Sequence, residues 1–193
     1  MVLKFFTKEE FKKIGLILAV LIFVSVINFR VSIRKARDAQ RNADLTFLRE
    51  KLEEFKSEVG YFPPAGGDGT ILACKDGATV VNSEFKRLEN PGPCKWGEDD
   101  LINYFSDTPK TILERIPVDP QNGAGIRYLY KSNGSRFQVY ASLEGKNEGE
   151  YNKKIETLKL KCGTRVCNFG KSFSDTPLDK SIQEYENELL NKK

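Results

Sequence analysis

Four cysteines, Cys74, Cys94, Cys162 and Cys167, are the residues of this chain best suited to covalent chemistry. They can close two disulfides or hold one zinc ion. The 19, 67 and 4 residues that separate them lack the paired short spacers of a zinc ribbon. Four cysteines allow three disulfide connectivities. Cys74–Cys94 and Cys162–Cys167 are the expected pairs, because each closes a short loop. The chain has no histidine. That removes the commonest general base and metal ligand, and with it any Ser–His or Cys–His pair within the chain. Neither a glycine-rich phosphate loop nor a catalytic pair of carboxylates stands out, so the expectation is a protein that is not an enzyme. The 31 basic and 27 acidic residues leave a net charge of +4, too mild to argue for nucleic acid from charge alone.

Disulfides need an oxidising compartment, and the N-terminal sequence supplies a way to reach one. Residues 14–29, IGLILAVLIFVSVINF, form one nearly unbroken apolar run. Its 16 residues rise about 24 Å as a helix, against a hydrocarbon core of about 30 Å. Phe11 can lengthen it if Lys12 and Lys13 snorkel towards headgroups. The start is basic, as in a signal peptide, but no small-x-small cleavage site follows. An uncleaved anchor is expected. Both flanks are basic, so charge does not orient it; the cysteines favour the C-terminal side being outside.

The helical pattern continues past the run, with neither Pro nor Gly until Gly60. Leu45, Leu48, Leu52, Phe55 and Val59 recur at intervals of 3 and 4, a one-sided stripe suited to packing on a sheet. Between Arg30 and Asp44 the helix is charged, with small Ala36, Ala39 and Ala43. It reads as an exposed neck or an inter-subunit surface, with Arg37, Asp38, Arg41 and Asp44 pairing along the helix. Gly60 and Pro63-Pro64 end it. The expected organisation is a basic cytoplasmic segment (1–13), a transmembrane helix (14–29), a stem helix (30–60) and an extracytoplasmic head (61–193).

In the head, residues 63–97 read as a long irregular loop closed by Cys74–Cys94, with a strand at ATVVN and a helical turn from Ser83. Residues 101–105 and 111–116 are short helical candidates. The tetrapeptide SDTP occurs at 106–109 and at 174–177. Each copy reads as a helix start, with Thr108 or Thr176 as N-cap and the following proline first; at the second, Asp179 would close a capping-box variant. Leu178, Ile182, Tyr185 and Leu189 then make an amphipathic C-terminal helix. Residues 126–132 and 136–144 are the clearest strands, joined by Asn133-Gly134, a strong hairpin signal. Alternation in residues 157–162 predicts a third strand, with another short one from Arg165 to Cys167.

The segments FFTKEEF, INF, RKARDAQRNADLTFLREKLEEF, VGYFPP, IPVDPQNGAGIRYLYKS and FQVYASLEGK, in this order, resemble the type IV pilin-like proteins, closest to the major pseudopilin of type II secretion systems. The resemblance implies an α+β fold, a long membrane-spanning N-terminal helix packed on a small antiparallel sheet, here followed by a C-terminal helix. It implies a single-pass inner-membrane protein with the N-terminus inside and the head periplasmic or extracellular. Its partners would be other pilin-like subunits or an assembly platform of a secretion, pilus or DNA-uptake apparatus. The alternative is a static tethered module that binds a protein or ligand through its head. Family precursors are cut after a glycine and before a phenylalanine, and the mature chain has glutamate at position five. Here Phe6 aligns with the new N-terminus, Glu10 with the glutamate, and Phe5 replaces the glycine, so no cleavage is expected. Some family members bind calcium after the last hairpin. In this chain Glu144, Asn147, Glu148 and Glu150 would be the oxygen ligands; no other cofactor is expected.

Overall fold

The computed structural model describes residues 8–74, 80–82, 87–89, 91–104 and 109–192. Phe5, Phe6, Ser83 and Thr108 lie outside these residues.

One α-helix, α1 (Lys8–Val59), runs unbroken through the apolar run and the stem. It ends where glycine permits: Gly60 has φ +92° and its N–H donates to the Lys56 carbonyl. Leu45, Leu48, Leu52 and Phe55 are wholly or almost wholly buried, and Val59 packs at the edge of the same core. Each such side chain contributes about 1.5–3 kcal/mol of burial, which is what holds the upper half of α1 to the head.

The head is a set of small antiparallel sheets. The largest joins β7 (Leu129–Ser132), β8 (Phe137–Ala141) and β11 (Phe169–Ser172), with β8 in the centre. All five residues of β8 are buried, and α1 packs against β8 and β11. The β7–β8 hairpin keeps Ser132 opposite Phe137, and Gly134 takes φ +84° in its loop. The other pairs are β1 (Leu72–Cys74) with β4 (Gly92–Pro93), β2 (Val80–Asn82) with β3 (Arg87–Glu89), and β5 (Leu101–Asn103) with β6 (Lys110–Leu113). A two-residue hairpin, β9 (Lys161–Cys162) and β10 (Arg165–Val166), completes the set. The helices α2 (Lys153–Thr157) and α3 (Ile182–Leu190) are short. This is the α+β architecture expected, and both disulfides are the local ones, Cys74–Cys94 and Cys162–Cys167.

Four expectations are corrected. Residues 101–103 and 110–113 are strands, not helices. They pair with each other and bury Leu101, Ile112 and Leu113, while Lys110 reaches back to Glu54 and Glu58 of α1. Residues 87–89 are likewise strand rather than helical turn. Of residues 157–162 only Lys161 and Cys162 are strand, in the short β9–β10 hairpin and not as a third strand beside β8. Asn152 caps α2 by accepting from the Lys154 N–H, Lys159 turns the chain with φ +54°, and the edge of β8 is taken by β11. The C-terminal helix starts after Ser181, not Thr176. The Pro177 and Lys180 carbonyls accept from the Gln138 amide and that of Leu178 accepts from the Tyr140 hydroxyl, so this segment stays out of the helix. Ser181 and Glu184 then form the reciprocal capping box.

Candidate functional site

The stretch read as a bare charged neck is the most highly organised polar site among the described residues. Arg30, Arg34, Arg37 and Arg41 recur at intervals of 4, 3 and 4 and so share one face of α1. That face meets two loops of the head, residues 119–121 and 144–150.

Arg41 is 0% exposed. Its Nε and Nη2 donate to the two carboxylate oxygens of Asp119 at 2.8 and 3.0 Å. Nη1 donates to Asp38 at 2.8 Å and Glu144 at 3.1 Å, and Nη2 also reaches the Gln121 side-chain oxygen at 2.9 Å. All five guanidinium N–H groups therefore have acceptors. Asp38 accepts from the backbone N–H groups of Glu144 and Gly145, both at 2.9 Å. Arg37 makes a two-pronged pair with Glu144 at 2.6 and 2.7 Å. Below it Arg34 touches Glu148 at 3.3 Å, and beside it Asn42 donates to Glu150. Above, the Tyr128 hydroxyl donates to Asp44 at 2.6 Å.

Electrostatics follow this geometry. The Arg37 hydrogen bonds hold the Glu144 carboxyl down at about 2, against an ordinary value of 4.5, with Arg41 adding to the pull. Burial pulls Arg41 towards deprotonation, but Asp119, then Glu144 and Asp38, outweigh it and leave the guanidinium above its usual value. Burial, then the Asp44 hydrogen bond, push the Tyr128 hydroxyl up.

A buried ion cluster adds little net stability over well-packed apolar residues, yet removing one partner leaves a charge stranded at about 3–5 kcal/mol. Its product here is geometric. Leucines in a stripe tolerate sliding and rotation; a five-donor guanidinium between three carboxylates does not. The cluster fixes the rotation and height of the head on α1.

The structure puts Glu144 and Glu148 on arginines, Glu150 on Asn42, and leaves Asn147 exposed. Among the described residues, no three His, Cys, Asp or Glu side chains gather as they would around a metal ion. Glu10 lies on the first turns of α1, beside the Glu9–Lys12 ion pair. Sequence reasoning missed the burial of Asp38 and Arg41, and it also missed Asn168. The Asn168 amide accepts from the Leu143 N–H and donates to the Leu143 carbonyl, tying the start of β11 to the end of β8. The one sequence signal for the first two was their spacing on the face that carries Leu45 and Leu48.

Three further surfaces stand out among the described residues. Residues 14–29 are exposed along the whole run, and α1, which contains them, is long and apolar enough to cross a membrane. Beside the Asn42–Glu150 contact, α1 carries a shallow furrow lined by Ala39, Ala43, Thr46 and Phe47, with Phe47 45% exposed. A larger groove of about 540 Å³ lies between β8 and α3, where Ala65 and Gly66 meet Tyr140, Leu160 and Ile182.

No known family, curated protein or solved structure matches the chain. The general shape, a long apolar N-terminal helix under a small antiparallel-sheet head, is pilin-like.

Proposed function

We propose that the chain is a membrane-anchored, pilin-like structural subunit of a secretion, pilus or DNA-uptake apparatus, with no catalytic role. The observation that carries this is the division of α1. Its upper half is locked to the head by the leucine stripe and Arg41, and its lower half is bare apolar surface. Such a helix delivers the position of the head to whatever holds the membrane segment. The disulfides support a head outside the cytoplasm. The furrow at Ala43 and Phe47 offers a face on which other pilin-like helices can pack. A photo-crosslinker placed at Phe47 in native membranes tests this. Trapping of another helical subunit supports it; a carbonate-extractable protein that traps nothing ends it.

The groove beside α3 favours the second reading, a static tethered module. The loop after Pro64 and the C-terminal helix both line it. Phe5 at the position of the expected glycine points the same way. Intact mass from membranes separates the two. Loss of residues 1–5 with methylation of Phe6 supports assembly, and a full-length chain supports the static anchor.

A further inference from the structure

The arginine ladder is filled from the top down. Arg41 is enclosed and has five acceptors, Arg37 holds both oxygens of Glu144, and Arg34 has a single contact with Glu148. The Arg34 Nε is buried without a hydrogen-bond partner. Arg30, the lowest rung, takes no partner among the described residues. It follows directly on Phe29, the last residue of the apolar run.

Arg30 is also the upper end of a groove. Leu18, Leu21, Ile22, Val26 and Phe29 lie around Ser25 and leave an open trough of about 480 Å³ along one face of the helix, with Arg30 at its upper end. From Leu18 to Arg30 the helix rises about 18 Å, slightly more than one leaflet of a hydrocarbon core of about 30 Å. An apolar trough one leaflet deep, capped by an unpaired guanidinium, has the polarity of an anionic phospholipid. Arginine matches a phosphate with two parallel N–H donors.

We infer that α1 carries a site for one anionic phospholipid of the leaflet on the head's side. An acyl chain lies over Ser25, and the phosphate binds Arg30, one helical turn below the half-engaged Arg34. The lipid phosphate is the anion of the lowest rung, as Glu148, Glu144 and Asp119 are of the others. The site rests on the membrane-anchor reading of residues 14–29.

The test uses the full chain reconstituted with phosphatidylcholine vesicles that do or do not contain phosphatidylglycerol with the same acyl chains. Flotation with the vesicles is read first, then the lipid that stays with the protein in mild detergent, by native mass spectrometry. The wild type is expected to retain phosphatidylglycerol at least about fivefold over phosphatidylcholine, the scale of one basic side chain at a charged surface. Arg30→Gln brings this to parity, Ser25→Phe lowers retention of both lipids, and Lys35→Gln, an exposed cation on another face, leaves the preference in place. Soluble glycerol phosphate does not displace the lipid. Failure to float overturns the anchor and the site together. Flotation with no preference, a preference that survives Arg30→Gln, or one lost equally in Lys35→Gln overturns the site alone.

Discussion

Arg41 of the helix and Asp119 of the head, 78 positions apart, meet in a two-pronged ion pair at 2.8 and 3.0 Å, with Arg41 fully buried. Among the described residues it is the ion pair between α1 and the head in which both side chains are wholly buried. Replacing Arg41 with Ala strands Asp119, Asp38 and Glu144 without their shared cation. We expect a loss of about 3–5 kcal/mol in the unfolding of the head, read by chemical denaturation of the full chain in detergent. Arg41→Met, which fills the space but still leaves Asp119 and Asp38 without their cation, is expected to recover little of it. A loss below about 1 kcal/mol, the level of a surface pair, would mean that the cluster does not hold the head.

Glu144 gives that cluster a pH dependence. Its carboxyl is held down at about 2 by Arg37 and Arg41, against 4.5 for the ordinary group. A depressed acid stabilises the folded state above the unfolded value, and that contribution disappears as pH falls through the folded one. Between pH 5 and 8 the Glu144 contribution is therefore constant. It declines between about 4.5 and about 2. Glu144→Gln is expected to be less stable than wild type at pH 7 and to converge on it in that window. A gap that stays constant down to about pH 2 would show that Glu144 is not the titrating group.

The two disulfides make separable predictions. Cys74–Cys94 spans 20 positions and Cys162–Cys167 spans 5. Chain entropy then assigns about 3 kcal/mol to the first and about 2 kcal/mol to the second. The double Cys→Ala variants are expected to fall in that order, in thermal or denaturant unfolding. Non-reducing peptide mapping checks the connectivity, and any peptide joining residues from both pairs would contradict it.

Legibility in the sequence followed the range of the forces involved. The leucine stripe from Leu45 to Phe55, the helix stop at Gly60 and the hairpin around Gly134 are local patterns, and the structure has them. Short segments in the head depart from their local pattern where a partner distant in sequence decides the conformation. Thr176-Pro177 has the form of a helix start, yet Gln138, 39 positions away, takes the Pro177 carbonyl and keeps the chain out of a helix. Leu101 to Asn103 could be helical alone, but β6 pairs with it. The neck shows the same limit with charges. Arg37, Asp38 and Arg41 look like an exposed ion ladder until the head supplies Asp119 and Glu144. Of the pairs expected along the helix, Arg41–Asp38 does form, as one edge of the larger cluster.

The disulfide hairpin at Gly163 supplies a last prediction, because its glycine is required twice over. Gly163 has φ +68°, and a Cβ built there would lie 1.9 Å from the Gly125 carbonyl oxygen. This close approach lets the Thr164 N–H donate to Gly125 at 2.9 Å and the Arg127 N–H to Cys162 at 3.2 Å. Those bonds join the hairpin to residues 125–127, just before β7, and so to the strand that follows the Asp119 loop. Gly134 is a control with the same backbone sign and no crowding: φ +84° and nothing within 4 Å of its Cβ. Gly134→Ala should cost only the left-handed backbone term, about 1–2 kcal/mol. Gly163→Ala adds overpacking of about 1–3 kcal/mol, and it pushes the hairpin away from Gly125. Faster amide exchange at Thr164 and Arg127 in Gly163→Ala, but not in Gly134→Ala, is the expected signature. Equal stability losses in the two variants, with Thr164 still protected, would mean that backbone conformation alone requires the glycine and that the contact with Gly125 contributes nothing.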